Sequence, residues 1–280
     1  MDGTIIGTQR WRSQANAFDG VNPSSRAHSR YIGGAMLHDV LFKTTSNLTN
    51  VDLKMGSESI VDISVANLAV LNQYNKIYTA TGFVLLNLAD PTMKTLFGQT
   101  ITGWNTPLGA EIRIGATFGA GASPAITASV LESAYNLNGD ENIARARMVP
   151  RIRELQCKGG ASGKALLLDD IHESKDGDEF LRRVHFYGNG HITKLRVLRD
   201  SSQLCEVYAD ELAYMQNVNG RAPQTGWLHF DPLMAGLPEE MFSTQNFKNL
   251  QFEVTLDGTL SEIPTIIESA RVMPKPAGAK

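Results

Sequence analysis

The sequence predicts an all-β protein of two tandem jelly-roll β-sandwiches with short helices in the connections. Three observations lead there. Twenty-five glycines and 11 prolines punctuate many short apolar runs, a pattern of strands and turns and not of a helical bundle. The phrase TGFVLLN at Thr81–Asn87 returns as TGWLHFD at Thr225–Asp231, 144 positions later in a chain of 280 residues. The same order of hairpin, short helix and strands also runs on both sides of a polar and then basic stretch, Asn136–Leu155.

The echo holds a long register. At the 144-residue shift, DVLFKTTSNLTNVDL (Asp39–Leu53) lies over RVHFYGNGHITKLRV (Arg183–Val197), so that Val40 meets Val184, Phe42 meets Phe186 and Val51 meets Leu195. SIVDISVANLAVLN (Ser59–Asn72) lies over QLCEVYADELAYMQ (Gln203–Gln216). Further on the offset becomes 140, which sets Ile114 on Val254, Pro124 on Pro264 and Ile126 on Ile266. Turn, helix and strand signals recur in one order, so the chain reads as two copies of one domain.

Within a copy the elements follow from local pattern. AMLHDVLFK opens the first copy as a strand; KALLLDDI and RRVHFYG open the second. VDLKMGSESIVDIS holds two alternating runs around Met-Gly-Ser, and LRVLRDSSQLCEVY two around Arg-Asp-Ser-Ser, which predicts a hairpin in each. VANLAVLNQYN and ADELAYMQNVN carry apolar residues at i, i+3 and i+4 and predict short helices. The strands GFVLLNL and GWLHF follow, then second short helices at DPTMKTLFG and LPEEMFSTQ, led by Pro91 and Pro238. EIRIGATF and PAITASVL close the first copy; LQFEVTL and PTIIESARV close the second. The expected division is an extended N-terminal arm at 1–31, a first jelly roll at 32–137, a basic linker at 138–155, a second jelly roll at 156–273 and a tail at 274–280.

Composition excludes several classes. A net charge of −3 exerts no global pull towards nucleic acid or an acidic membrane. Cys157 and Cys205 cannot build a disulfide framework and have no partners at zinc spacing. No run approaches the roughly 18–20 apolar residues of a membrane span. The start, MDGTIIGTQRWRSQANAFDG, lacks the basic-then-apolar order of a secretory signal, so folding in a cytoplasm is expected.

No motif reads as an active site, and no cofactor signature is present. GGASGKA (Gly159–Ala165) fails as a phosphate loop, because Lys158 stands where the first glycine belongs and Ala165 replaces the magnesium-binding hydroxyl; it reads as a flexible turn. The six histidines contain no H-x-H or H-E-x-x-H pair, and a cupin-like metal site would need closely spaced histidines plus a glutamate. His185 and His229 interrupt apolar runs and are expected to be hydrogen-bonded or partly exposed. DDIHESKDGDE (Asp169–Glu179) gathers six acids, of which Asp176, Asp178 and Glu179 are candidate ligands for a structural calcium ion. The calcium-loop order is absent there, so a solvated acidic loop is the stronger reading, with a site between subunits left open. Two basic features remain. Arg10 and Arg12 lie in the arm beside Trp11, and Arg145, Arg147, Arg151 and Arg153 alternate through the linker, where an extended chain points them the same way. Guanidinium suits carboxylate or phosphate, so these six are candidates for contacts with a neighbouring subunit, lipid head groups or nucleic acid.

VDLKMGSESIVDIS, VANLAVLN, TGFVLLNL and TMKTLFG in the first copy, the run Phe230–Met273 in the second, and MVPRIRELQCKG between them resemble the corticovirus-type double jelly-roll major capsid proteins of small tailless, membrane-containing icosahedral bacteriophages. The likeness covers most of residues 36–273. It implies a non-enzymatic structural protein whose homotrimer supplies six jelly rolls to a pseudo-hexagonal tile of an icosahedral shell, assembled in the host cytoplasm. It further implies contacts with neighbouring trimers and a penton or vertex protein, and an inner face turned towards an internal membrane or the packaged genome. The alternative is a tandem β-sandwich that binds carbohydrate or a receptor, for which Trp104 and Trp227 would form an exposed platform. A bicupin-like metalloenzyme comes third.

Overall fold

The computed structural model describes residues 9–13, 18–44, 47–93, 98, 102–121, 124–133, 148–168, 171, 179–200, 202–237, 241–244 and 250–272. The chain forms two compact units, one from residues 1–72, 77–151 and 272–280, the other from 73–76 and 152–271.

In chain order the first unit contains β1 (Gln9–Ser13), β2 (Arg26–Ile32), β3 (Met36–Thr44), β4 (Leu48–Met55), β5 (Glu58–Ser64), α1 (Val65–Tyr74), β6 (Phe83–Asn87), β7 (Trp104–Asn105), β8 (Glu111–Phe118) and β9 (Ile126–Ser133). One sheet runs β1-β9-β3-β6, with β7 also on β3; the other runs β5-β4-β8-β2. Alternation decides which side of each strand is apolar. Val40, Phe42, Leu86 and Val130 are buried in full from the first sheet, as are Val51, Leu53, Ile112 and Ile114 from the second. The Tyr31 hydroxyl of β2 donates to Glu132 of β9 at 2.8 Å, linking the two sheets. The β4–β5 hairpin turns at Gly56, whose φ of +60° suits the tight turn that Met-Gly-Ser predicts.

The second unit continues with β10 (Met148–Lys158), inside which the division between units falls, then β11 (Ala165–Leu168), β12 (Glu179–Tyr187), β13 (Ile192–Arg199), β14 (Ser202–Tyr208), α2 (Ala209–Val218), β15 (Trp227–Phe230), β16 (Phe242–Ser243), β17 (Leu250–Leu256) and β18 (Glu262–Val272). Its sheets run β15-β12-β18-β10, with β16 on β12, and β11-β17-β13-β14. Their inner faces meet in one core, where the Phe252 ring lies 5.9 Å from Phe186 and 5.4 Å from Phe230. Burying each such ring contributes about 1.5–3 kcal/mol. The start of α2 is stabilised by Asp210 and Glu211 at the positive end of its dipole, and Gly220, with φ +80°, follows its end.

The duplication is visible in hydrogen-bond register. β3 pairs β6 with Val40 opposite Leu86 and Leu41 opposite Leu85, while β12 pairs β15 with Val184 opposite Phe230 and His185 opposite His229. Both pairs are related by 144 residues. The hairpins agree too, Val51 facing Ile63 and Leu195 facing Val207.

The 140-residue offset of the closing strands does not survive. Leu53 faces Ile114 and its equivalent Val197 faces Phe252, a shift of 138; Val40 faces Val130 and Val184 faces Ile267, a shift of 137. A two-residue slip leaves every side chain on its own face, so apolar matching in β8 and β17 cannot detect it. β18 is apolar at consecutive positions, so it does not register the other slip either.

Two further expectations differ from the structure. The range 1–31, read as an arm, contains β1, paired to β9, and β2, paired to β8, so both belong to the first unit's sheets. β2 buries only Ala27, Ser29 and Tyr31, a set too small and polar to read as a core strand in RAHSRYI. The range 138–155, read as a linker, ends in the first eight residues of β10, where Met148, Val149 and Ile152 are buried. The second short helices fall largely outside the described residues; within LPEEMFSTQ, Phe242–Ser243 is strand β16, held by pairing with Phe180 and Leu181.

Candidate functional site

The second unit carries a buried polar cluster on the face of β12, β15 and β18 turned away from its core. Arg183 and His185 alternate along β12 with the core residues Val184 and Phe186. Sheet register then places His229 directly opposite His185, and Glu268 opposite Arg183. Arg183 pairs with Asp231 at 3.1 Å and with Glu268 at 3.5 Å. Arg221 pairs with Asp231 at 2.9 Å and donates to the Leu233 carbonyl at 3.0 Å. The second unit includes the segment 73–76 from the end of α1, and the Tyr74 hydroxyl donates to Asp231 at 3.0 Å. The Tyr74 ring stacks on His229 at 4.3 Å.

Two arginines face two carboxylates, so these buried charges balance, the condition under which ions are tolerated away from water. Burial alone would raise the Glu268 carboxyl, but Arg183 and the His185 hydrogen bond hold it down to about 2. Burial, with His185 and Arg183 adding to it, pushes His229 well below the ordinary histidine range. Burial and the neighbouring Asp231 raise the Tyr74 phenol, so it stays a donor.

His229 Nε2 accepts from the Gln224 backbone N–H at 3.4 Å, and its Nδ1 lies 2.6 Å from His185 Nδ1, close enough for one nitrogen to donate to the other. His185 Nε2 donates to Glu268 Oε1 at 2.9 Å. Histidine beside glutamate suggests acid–base chemistry, yet every member of the cluster is less than a tenth exposed. The cluster is a structural clasp for the Tyr74 segment and for α2, whose Gln216 amide donates to the His229 carbonyl.

The first unit has a counterpart with different chemistry. Asp39, Leu41, Leu85 and Asn87 stand where the second has Arg183, His185, His229 and Asp231, and all four are only half-buried. Asn87 donates to Asp39 at 2.8 Å. Burial raises the Asp39 carboxyl to about 6, against the lowering effect of that bond. Asn72 of α1 donates to the Leu85 carbonyl at 2.9 Å, in the position of Gln216.

The other candidate residues are scattered. Arg10 and Arg12 lie in β1 opposite Glu132 and Val130. Arg145, Arg147, Asp176 and Asp178 lie outside the described residues. Arg151 pairs with Glu58, and Arg153 donates to the Ile171 carbonyl at 2.5 Å, so both make contacts within the chain. Glu179 is buried in β12, where its carbonyl accepts the Thr244 hydroxyl at 2.7 Å. Among the described residues no group of three or more His, Cys, Asp or Glu side chains has the arrangement to hold a metal ion.

Two readings from the sequence are corrected and one is met. The exposed aromatic platform fails at Trp104, which is fully buried; Trp227 is half-buried, 5.1 Å from Tyr187. His185 and His229 are hydrogen-bonded, one of the two states expected of them, and they meet each other and Glu268 because β15 folds back on β12 and β18 lies on the other side. Gly159 does not serve a loop's flexibility: a Cβ there would lie 2.1 Å from the Leu260 carbonyl oxygen, so only glycine allows the two backbones to pass. The polar cluster as a whole had no local sequence signal beyond histidines interrupting apolar runs.

Comparisons with known proteins bear on what these two units are. A family profile for the viral coat protein P2 N-terminal domain matches residues 12–133, and one for the P2 C-terminal domain matches residues 149–273. No curated protein sequence matches. Among solved structures, the major capsid protein P2 of Bacteriophage PM2 superposes with a TM-score of 0.80 at 13% identity, over 96% of this chain and 99% of that one. The STIV MCP gives 0.65 at 11% identity, over 95% and 97%. The PBCV-1 virus capsid gives 0.61 at 8% identity, over 98% and 97%. With the two halves of one family matched in order on its two units, the chain belongs to the viral coat protein P2 family and is a double jelly-roll major capsid protein of a virion.

Proposed function

We propose that three copies of this chain form a pseudo-hexagonal tile of six jelly rolls, and that such tiles pack into an icosahedral shell. The observation that carries this reading is the shared register of the two units, Leu41 facing Leu85 as His185 faces His229. Near-equivalent modules let threefold symmetry present six similar edges. Interfaces within the tile are large and partly apolar, and those between tiles are smaller and wetter.

In this reading Arg10, Arg12, Arg145 and Arg147 face the inside of the shell or an adjoining subunit, where their guanidiniums meet phosphate of a membrane or genome, or a carboxylate. A separate penton protein closes the vertices, because a six-sided tile cannot fill a fivefold position. The test is the mass of the native protein by light scattering, in varied salt and calcium, followed by electron microscopy of the same fraction. A stable species of three chain masses with a hexagonal outline is expected; a monomer in every condition overturns the reading.

A further inference from the structure

We propose that the surface made by β14 and α2 of one chain docks, head to tail, on the outward face of β3 and β6 in the first unit of a second copy. The inference rests on the trimeric reading and names its contact.

It follows from comparing equivalent residues of the two copies. In the first copy, Ile60, Leu71 and Tyr74 are 1%, 4% and 0% exposed. Their equivalents 144 residues on, Leu204, Met215 and Val218, are 43%, 45% and 64% exposed. Tyr208 and Tyr214 extend the same surface, at 54% and 69%. Thus β14 and α2 display five large apolar or aromatic side chains, and for three of them, Leu204, Met215 and Val218, the first copy hides the corresponding residue. Among the described residues β14 pairs only with β13, so it lies at the edge of its sheet. A free edge strand beside an apolar helix is a surface that natural proteins cover.

The receiving face differs in the opposite sense. In the second unit, Arg183, His185, His229 and Asp231 are covered, in part by Tyr74, which the first copy contributes. In the first unit the equivalent Asp39, Leu41, Leu85 and Asn87 are half-exposed, and Phe83 beside them is 45% exposed. A concavity of about 370 Å³ continues this face past Lys43, Phe83 and Thr127. Asn87 Oδ1 is buried without a hydrogen-bond partner among the described residues, while its equivalent Asp231 accepts from Tyr74 and Arg221.

The first copy therefore has its helix end seated and its receiving face open; the second copy has its receiving face filled and its helix end free. Only another copy of the chain matches both vacancies with the pairing already used once, Tyr74 being replaced by Val218. A contact between two different surfaces of identical chains is heterologous, and it closes into a ring when the rotation allows.

The test uses the full chain. Val218→Asp with Met215→Asp alters two exposed side chains, and Leu85→Glu alters the receiving face; circular dichroism and melting check that each variant folds. Wild type is expected to be a trimer, and the concentration at which it dissociates is expected to rise about 100-fold or more in the double variant. Mixing the two broken variants, each with one intact surface, is expected to yield a one-to-one heterodimer. If wild type is a trimer and the folded double variant dissociates at the same concentration, this inference is overturned and the trimeric reading stands. If wild type is itself a monomer, both are overturned.

Discussion

Asn72 and Gln216 make the same hydrogen bond in the two copies: each side-chain amide donates to a strand carbonyl, Leu85 at 2.9 Å and His229 at 2.5 Å. Each bond fastens the last turns of a helix to the strand that follows it. Asn72→Ala or Gln216→Ala leaves a buried carbonyl without its donor, so each is expected to cost about 1–3 kcal/mol. Urea unfolding of each single variant checks this, and a cost near zero at both sites would mean that water replaces the amide.

Arg183 joins two carboxylates inside the second unit. Arg183→Met fills similar volume but leaves Glu268 with His185 alone and Asp231 with only Arg221 and Tyr74. A buried negative charge then goes uncompensated, and the variant is expected to lose about 3–5 kcal/mol. Adding Glu268→Gln removes the uncompensated charge and should recover part of the loss. Additive costs in that double-mutant cycle would show that the pair is not coupled.

Glu268 and Asp39 predict opposite pH dependences. The Glu268 carboxyl is held down to about 2 in the fold, so its stabilisation is complete above its unfolded value near 4.5 and is lost as pH falls towards 2. Asp39 is raised to about 6, so its neutral form stabilises the fold below about 3.8 and that contribution is lost as pH rises through 6. Asp39→Asn is therefore expected to add stability above pH 6, about 1–2 kcal/mol after allowing for its partial exposure. Melting curves of the dissociated chain from pH 3 to 8 separate the two effects; an Asp39→Asn curve parallel to wild type throughout would rule out the second.

Gly159 and Gly160 are neighbours with different constraints. A Cβ on Gly159 meets the Leu260 carbonyl oxygen at 2.1 Å, whereas one on Gly160 meets only the Leu166 side chain, at 3.5 Å. Gly159→Ala must displace backbone and is expected to destabilise by about 2–4 kcal/mol, with Gly160→Ala close to neutral. Equal melting temperatures for the two variants would mean that the chain relaxes at Leu260 without cost.

The sequence by itself determined the class, the duplication and most of the strands. Alternation of apolar residues, turn residues such as Gly56 and the collinear echo at 144 residues are local signals, and local signals survive in one dimension. The tertiary structure alone decided the rest. β2 became a sheet member because its backbone found β8, although its composition reads as a basic arm. The closing strands took offsets of 138 and 137 because pairing, not apolar matching, sets register. His185, His229 and Glu268 met because β12 lies between β15 and β18, and no spacing in the sequence announces a contact made across strands. The difference between a buried Tyr74 and an exposed Val218, equivalent positions of two similar helices, is also invisible in sequence, since burial depends on what the rest of the chain brings beside each one.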